Sequence, residues 1–259
     1  MQTGKSLPLL AMVSTEAIRT SLGVIGNITA VTLFLSTVPT FLRIWKKRNV
    51  EQYSPVPYLA SFFNCGLWVL YGMPFVHPHS LLVVTTNGAG FAIELVYLVI
   101  FLLCSDKRKR LKVALVMLLE IMFFGALVLL VLTIVHTTQQ RSTIVGSISV
   151  AANILMYASP LSVMKLVITT KSVEYMPFLL SLFCFFNGLC WFLYALVPFD
   201  SFIAVPNGIG SLLAILQLVL YATFYKSTKR MLAARKEKIE MGLAVMDTSA
   251  NQNGNVAHS

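Results

Sequence analysis

Charge is scarce in this chain. Of its 259 residues, 12% are Asp, Glu, Lys or Arg, and only 10 are acidic. A soluble domain normally carries about 25% charged residues, so a wholly water-soluble globule is excluded. Histidine is scarcer. The four, His77, His79, His136 and His258, fall in predicted connections, at span ends or in the tail. No nucleophile–base pair or metal-ligating cluster appears, so an enzyme is not expected and no cofactor or metal is required. Four cysteines, Cys65, Cys104, Cys184 and Cys190, lie within or at the ends of apolar runs. Their spacing suggests neither a disulfide framework nor a metal site, and they read as small apolar residues in helices.

What is abundant is hydrocarbon, at 57% of residues. A bilayer core about 30 Å thick needs roughly 20 apolar residues in a helix. Seven runs qualify: 22–42, 57–73, 81–103, 113–135, 144–167, 177–197 and 202–224. The second is short and the third carries Glu94. A membrane β-barrel needs alternating segments of about ten residues, and "LVMLLEIMFFGALVLLVLTIV" does not alternate. The expected fold class is an all-α membrane protein with seven transmembrane helices.

The net charge of +10 is sorted by side rather than spread. With seven spans and the N-terminus outside, 17 of the 20 Lys and Arg fall on the inner side. They include Arg43, Lys46, Lys47 and Arg48 in one connection and the run 107–112 in another. Positive charge resists translocation, so the expected protein is multi-pass, with an extracellular N-terminus and a cytosolic tail. The same sorting accounts for the basicity without a nucleic-acid partner. The early patch "LPLLAMV" is too short to span. Near the other end, "KSTKRMLAARKEKIEM" reads as a basic helix at the membrane surface, and "DTSANQNGNVAHS" reads as disorder.

The chain also repeats itself. "NVEQYSPVPY" is echoed by "SVEYMPF", "FFNCGLWVLYG" by "FFNGLCWFLYA", and "TNGAG" by "PNGIG", in the same order. Glu51 and Glu174 are 123 residues apart, as are Asn64 and Asn187, and Trp68 and Trp191; Asn87 and Asn207 are 120 apart. A shorter second external loop accounts for the difference. The fourth run has no counterpart. The expected division is an N-terminus (1–21), a first three-helix repeat (22–105), a basic loop and linker helix (106–141), a second repeat (142–226) and a largely disordered cytosolic tail (227–259). One linking helix leaves both repeats with the same orientation. A site between such parallel repeats lies on their common axis near the midplane.

The paired residues suit a neutral, hydroxyl-rich ligand. A primary amide offers two donors and two acceptor lone pairs, so Asn87 and Asn207 must face protein, water or ligand. Helix–helix contact is the alternative reading for a single intramembrane Asn. Trp68 and Trp191 offer broad faces suited to C–H groups; alone, either would read as an interfacial anchor. Asn64 and Asn187 precede them by four residues and share their helix face.

Two three-helix units joined by one helix, with "SPVPY", "YASPLSVMKLVITTKSVEYMPF" and the twin "NG" signatures, resemble the SWEET sugar transporters. The resemblance covers about residues 23–226 and is nearest the plant branch that favours hexoses. It implies bidirectional uniport of a monosaccharide by alternating access, at the plasma membrane, by a protein that forms homo-oligomers. It places Leu33 and Met156, and Asn153 one turn earlier, beside the sugar, where the larger pair would narrow the site. It implies helix hinges at Pro57, Pro160 and Pro177. The fourth hinge position holds Thr37, with Pro39 two residues on. An outer gate would use Tyr71, Tyr194 and Asp200, although Asp200 equally suits a helix cap. The rival readings are proton-coupled transport of another small solute, for which Glu94 and Glu120 are the only acids within spans, and a seven-helix receptor.

Overall fold

The computed structural model describes residues 6–256, with side chains over 15–241. The described residues form helices α1 (Ser6–Leu35), α2 (Val38–Lys47), α3 (Val56–Gly72), α4 (Leu81–Cys104), α5 (Lys107–Thr133), α6 (Thr138–Met156), α7 (Ala158–Thr170), α8 (Phe178–Tyr194) and α9 (Ser201–Val256). Helices dominate because hydrocarbon offers no partner for backbone N–H and C=O groups. Five stretches are long and apolar enough to cross a bilayer: 15–47, 81–104, 107–133, 138–170 and 201–241. α3 and α8, 17 residues each, complete seven rods, because α1–α2 and α6–α7 are each one broken rod.

The breaks follow proline. A proline in a helix lacks the N–H that would bond the carbonyl four residues back. Pro39 follows a turn at 36–37, and Pro160 follows one at Tyr157. The proline sits two positions later in the first repeat than in the second, and the break moves with it. Thr37 takes part as well: its Oγ1 donates to the Phe34 carbonyl at 3.1 Å. Pro57 and Pro177, expected as hinges, bend no helix. Pro57 lies in the first turn of α3 and Pro177 caps α8, where a missing N–H costs little. α2 and α7 end alike, with Arg48 and Lys171 in the left-handed region at φ 51° and 55°.

The two repeats pack in matching ways. In the first, α4 lies between α1 and α3; in the second, α9 lies between α6 and α8. Across the interface α1 meets α8 and α3 meets α6, while α5 rests on α3 and α4. This is the 3+1+3 architecture, with parallel repeats and α5 as linker. The connections 48–55 and 171–177 share one face with the extension of α9, here the tail face. The connections 73–80 and 195–200 lie on the opposite face, and the second is indeed the shorter.

Two expectations fail at the ends. α1 starts at Ser6, not near residue 22. The tail is not disordered where it is described: α9 runs on to Val256 as helix. The first part of that extension is rich in Lys, Arg, Ala, Met and Glu, which are good helix formers. It also makes a Lys236–Glu240 ion pair at 3.7 Å and an Arg235–Glu174 pair at 3.6 Å.

Glycine separates into two roles. A Cβ on Gly90 would lie 2.9 Å from Cys65 Sγ and closer still to the Phe34 ring, whereas one on Gly88 would meet nothing within 4 Å. The second glycine of the "NGxG" stretch, not the first, lets helices approach. Gly90→Ala is expected to destabilise the detergent-solubilised protein by about 1–3 kcal/mol through overpacking. Gly88→Ala is expected to be neutral or stabilising by up to about 1 kcal/mol. Thermal unfolding of both variants checks this, and equal effects would refute the division.

Candidate functional site

The matched residues converge. A cavity of about 230 Å³ between the repeats is lined by Trp68, Trp191 and five asparagines: Asn64, Asn87, Asn153, Asn187 and Asn207. Ser61, Thr86, Phe34 and Met156 also reach its wall. Eight of the nine expected substrate residues are therefore brought together. Leu33 is not; it lines an adjoining cavity and a groove on the outside of the bundle. Any narrowing in this structure falls to Met156, which borders both cavities.

The amides are held in place by their own helices. Asn87 Nδ2 donates to the Val83 carbonyl at 2.9 Å, and Asn207 Nδ2 to the Ile203 carbonyl at 2.8 Å. Each amide spends one donor on the turn before it and keeps its oxygen and second N–H for the cavity. Asn187 Oδ1 accepts from Thr29 Oγ1 at 3.1 Å, but its counterpart Asn64 Oδ1 is buried without a partner. Thr86 Oγ1 is likewise unpartnered. Buried polar atoms are normally satisfied, so two enclosed orphans on residues of one cavity wall leave hydrogen-bonding capacity unused there. Thr86 and Ser61 were missed from sequence. Thr86 stands beside Asn87 but has Pro206 as its match, so no repeated pair drew attention to it.

No Asp, Glu, Lys, Arg or His lines this cavity. The wall is polar through amides and hydroxyls and apolar through indole faces. Such a wall has no counter-charge for an ion or a zwitterion, whose burial would be costly. It suits a neutral polyol.

The opposite face is shut above the indoles. Trp68 packs edge-on to Tyr71 at 5.4 Å, and Trp191 to Tyr194 at 5.2 Å. Tyr71 donates its hydroxyl to Asp200 Oδ2 at 2.9 Å. Asp200 Oδ1 accepts from the backbone N–H of Phe202 at 2.9 Å and Ile203 at 3.3 Å. The carboxylate thus serves both readings at once: it caps α9 and ties α9 to α3. Tyr194 makes no such bond and lies under the Arg19 guanidinium, 4.3 Å from its ring centre. The His77 ring stacks on Tyr71 at 4.8 Å. Burial holds its imidazole below the usual histidine range despite the pull of Asp200. Each gate tyrosine is seated on the other repeat. A Cβ on Gly146 would meet Tyr71 at 2.9 Å, and one on Gly23 would meet Tyr194 at 3.2 Å.

Toward the tail face, a second cavity of about 470 Å³ continues from the first and shares Asn153, Met156, Asn187 and Asn207 with it. Its wall comes from the second repeat except for Leu33 of α1. In the first repeat the corresponding space is filled by Phe41, Tyr58 and Tyr97, with Phe41 and Tyr97 stacked at 4.2 Å. Glu94 lies in that filled half, 6% exposed, with Oε2 unpartnered and Ser61 within hydrogen-bonding reach of the carboxyl.

Comparison with known proteins agrees with the site. A family model described as "Sugar efflux transporter for intercellular exchange" matches twice, over residues 20–109 and 143–229, once per repeat. The chain belongs to the SWEET family. Rice (Oryza sativa subsp. indica) bidirectional sugar transporter SWEET4 is 54% identical over 244 residues, covering 93% of this chain and 94% of the relative. Arabidopsis thaliana SWEET7 is 50% identical over 242 residues, covering 92% and 94%. The 3.7 Å structure of a eukaryotic SWEET transporter superposes with a TM-score of 0.78 at 40% identity, covering 82% of this chain and 99% of that one. SWEET proteins are transporters, not enzymes, so the receptor reading loses its footing.

Removing the Tyr71–Asp200 bond should loosen the closed face. A hydrogen bond to a charged group contributes about 1.5–3 kcal/mol. Tyr71→Phe is expected to increase iodide quenching of Trp68 and Trp191 fluorescence in a Trp45→Phe background. Unchanged quenching in folded protein would count against a gate at this position.

Proposed function

We propose that the chain is a facilitative transporter of monosaccharides, hexoses foremost, that exposes its central cavity alternately to the two faces. The carrying observation is the central wall itself: five asparagines, two indoles and no charged side chain. Amides recognise hydroxyl edges in either bonding sense, and indoles recognise C–H faces. The relatives' names, bidirectional sugar transporters, support the same substrate class. The cavity volume of about 230 Å³ falls below the roughly 300–1,000 Å³ of drug-sized pockets, which favours one sugar ring over two.

The tail face is read as cytosolic, because most of the Lys and Arg lie on it. With the opposite face closed by Tyr71–Asp200 and a cavity open toward the tail, the structure reads as inward-facing. Location at the plasma membrane and assembly into homo-oligomers belong to this proposal through the family resemblance alone.

A second reading keeps one specific observation. Glu94 is a buried acid whose only polar link reaches Ser61 in the cavity wall. Intramembrane acids often mark proton paths. Glu120 is the other acid within a span, and its Oε2 is also unpartnered. It lies on α5, outside the repeats. Among the described residues no second carboxylate and no histidine acts on either acid, so uniport is favoured.

Labelled glucose and sucrose uptake in a cell without its own hexose carriers, at pH 5.5 and 7.5, separates the readings. Glucose uptake above sucrose uptake, with little pH dependence, is expected. Strong stimulation by acid that vanishes in Glu94→Gln would establish coupling instead. Asn87→Ala and Asn207→Ala are each expected to abolish uptake at normal surface expression. Normal uptake in either variant would remove the central claim.

A further inference from the structure

The cavity on the tail side contains a polar group that the central site does not use. Gln217 lies in the apolar stretch "LLAILQLVL" of α9. It is ten residues beyond Asn207, or about 15 Å further along the helix. Its side chain lines the 470 Å³ cavity and makes no hydrogen bond to another described residue. An amide left unsatisfied in hydrocarbon costs several kcal/mol. Helix glue would show a partner across the interface, as Asn27 does, donating to the Leu82 carbonyl of α4 at 3.1 Å. Gln217 shows none, so its partner is mobile: water or a passing solute.

The repeat comparison sharpens this. The residue matching Gln217 is Tyr97, which is 4% exposed and donates its hydroxyl to the Phe34 carbonyl at 3.0 Å. Its ring stacks on Phe41 and closes the first repeat. The second repeat carries an amide in place of that plug, and an open cavity in place of the aromatic cluster. Ser159 and Tyr175 add two hydroxyl groups to the same wall. No charged side chain lines this cavity either, so the chemistry matches that of the central site with which it is continuous.

We propose that Gln217 forms a second saccharide-binding position, taking up sugar hydroxyls after they leave the central amides, in a tail-side cavity walled mostly by the second repeat. This rests on the sugar-transport reading above, and extends it from one site to a two-step path with a defined direction across the bundle. Cys184 provides a native reporter, since its thiol lines the same cavity, while Cys65 and Cys104 are buried.

The test uses the full chain with Cys190→Ser and with Cys65→Ala, because Cys65 lines the central cavity, in inside-out vesicles treated with a membrane-impermeant maleimide. Cys184 is expected to label from the tail side, and glucose is expected to slow that labelling. Gln217→Leu is expected to raise the half-protecting glucose concentration about 3–10-fold, the effect of losing one ordinary hydrogen bond. Its labelling rate without sugar should be unchanged, which reports intact folding. Gln217→Asn is expected to keep part of the protection. Two results overturn the proposal: a Cys184 that does not label from the tail side, or the same half-protecting concentration in Gln217→Leu as in the parent. The sugar reading fails separately, if the parent chain shows neither glucose protection nor glucose uptake.

Discussion

A polar side chain inside a bilayer must find a partner in protein, water or ligand, and the arrangement of this molecule turns on how each amide meets that demand. Asn27 meets it entirely with protein: it donates to the Gly23 and Leu82 carbonyls and accepts from Thr85. It stitches α1 to α4 and has no place in the cavity wall. Asn87 and Asn207 meet it halfway, each spending one donor on its own helix. Asn64 keeps an enclosed oxygen without a partner, and Gln217 bonds no other described residue. Carbonyls are covered in the same way, with Phe34 accepting from Tyr97 and Pro206 from Tyr157. The amide that protein satisfies fully lies outside the cavity walls, and the amides with spare bonding capacity line them.

Pseudo-symmetry controls one end of the path and not the other. At the opposite face the repeats are interlocked: the glycine of each first helix seats the tyrosine of the other repeat, and each tyrosine supports its own indole. The contacts around the two rings differ: Tyr71 bonds Asp200 and carries the His77 ring, whereas Tyr194 lies under Arg19. At the tail face the repeats diverge. Three rings fill one half, and a cavity occupies the other. Duplication thus preserved what must close on the axis and released what lies off it.

Much of this could be read from the sequence, for a physical reason. Hydrocarbon forces helix over each long apolar run, so seven spans and their order follow from composition. A repeat places matched residues about a common axis, so pairing Asn64 with Asn187 and Trp68 with Trp191 was enough to bring them to one cavity. Unpaired features were harder to read. Thr86, Ser61 and Gln217 have unlike partners in the other repeat, and no offset draws attention to them. Prolines were harder to rank, because the consequence of a proline depends on its position within a helix. Pro57 and Pro177 start helices, whereas Pro39 and Pro160 break rods. The tail was read from its polarity, which cannot tell disorder from a solvated helix when helix formers are dense.

The breaks decide which parts can move independently. Both lie on the tail side of the cavity, so α2 and α7 are short segments joined to α1 and α6 by a turn with few backbone bonds. At Tyr157 the backbone N–H turns back to the Ile154 carbonyl, at 3.1 Å, in place of the regular helical bond to Asn153. A swing of α7 about that turn would reshape the tail-side cavity through Pro160 and Val163, which line it, and would leave the Tyr71–Asp200 contact untouched. The first repeat has no equal freedom. Its break stands two residues further along, on a different side of the rod, and Phe41 of α2 is wedged against Tyr58 and Tyr97. Opening the opposite face is a different operation, because no break lies there and each tyrosine rests on the other repeat. The one proline inside a helix near that face, Pro206 of α9, leaves the helix unbroken, so rotation of whole repeats is the simpler way to open it. The tail face can open by bending one rod within a repeat, and the two movements therefore need not share a barrier.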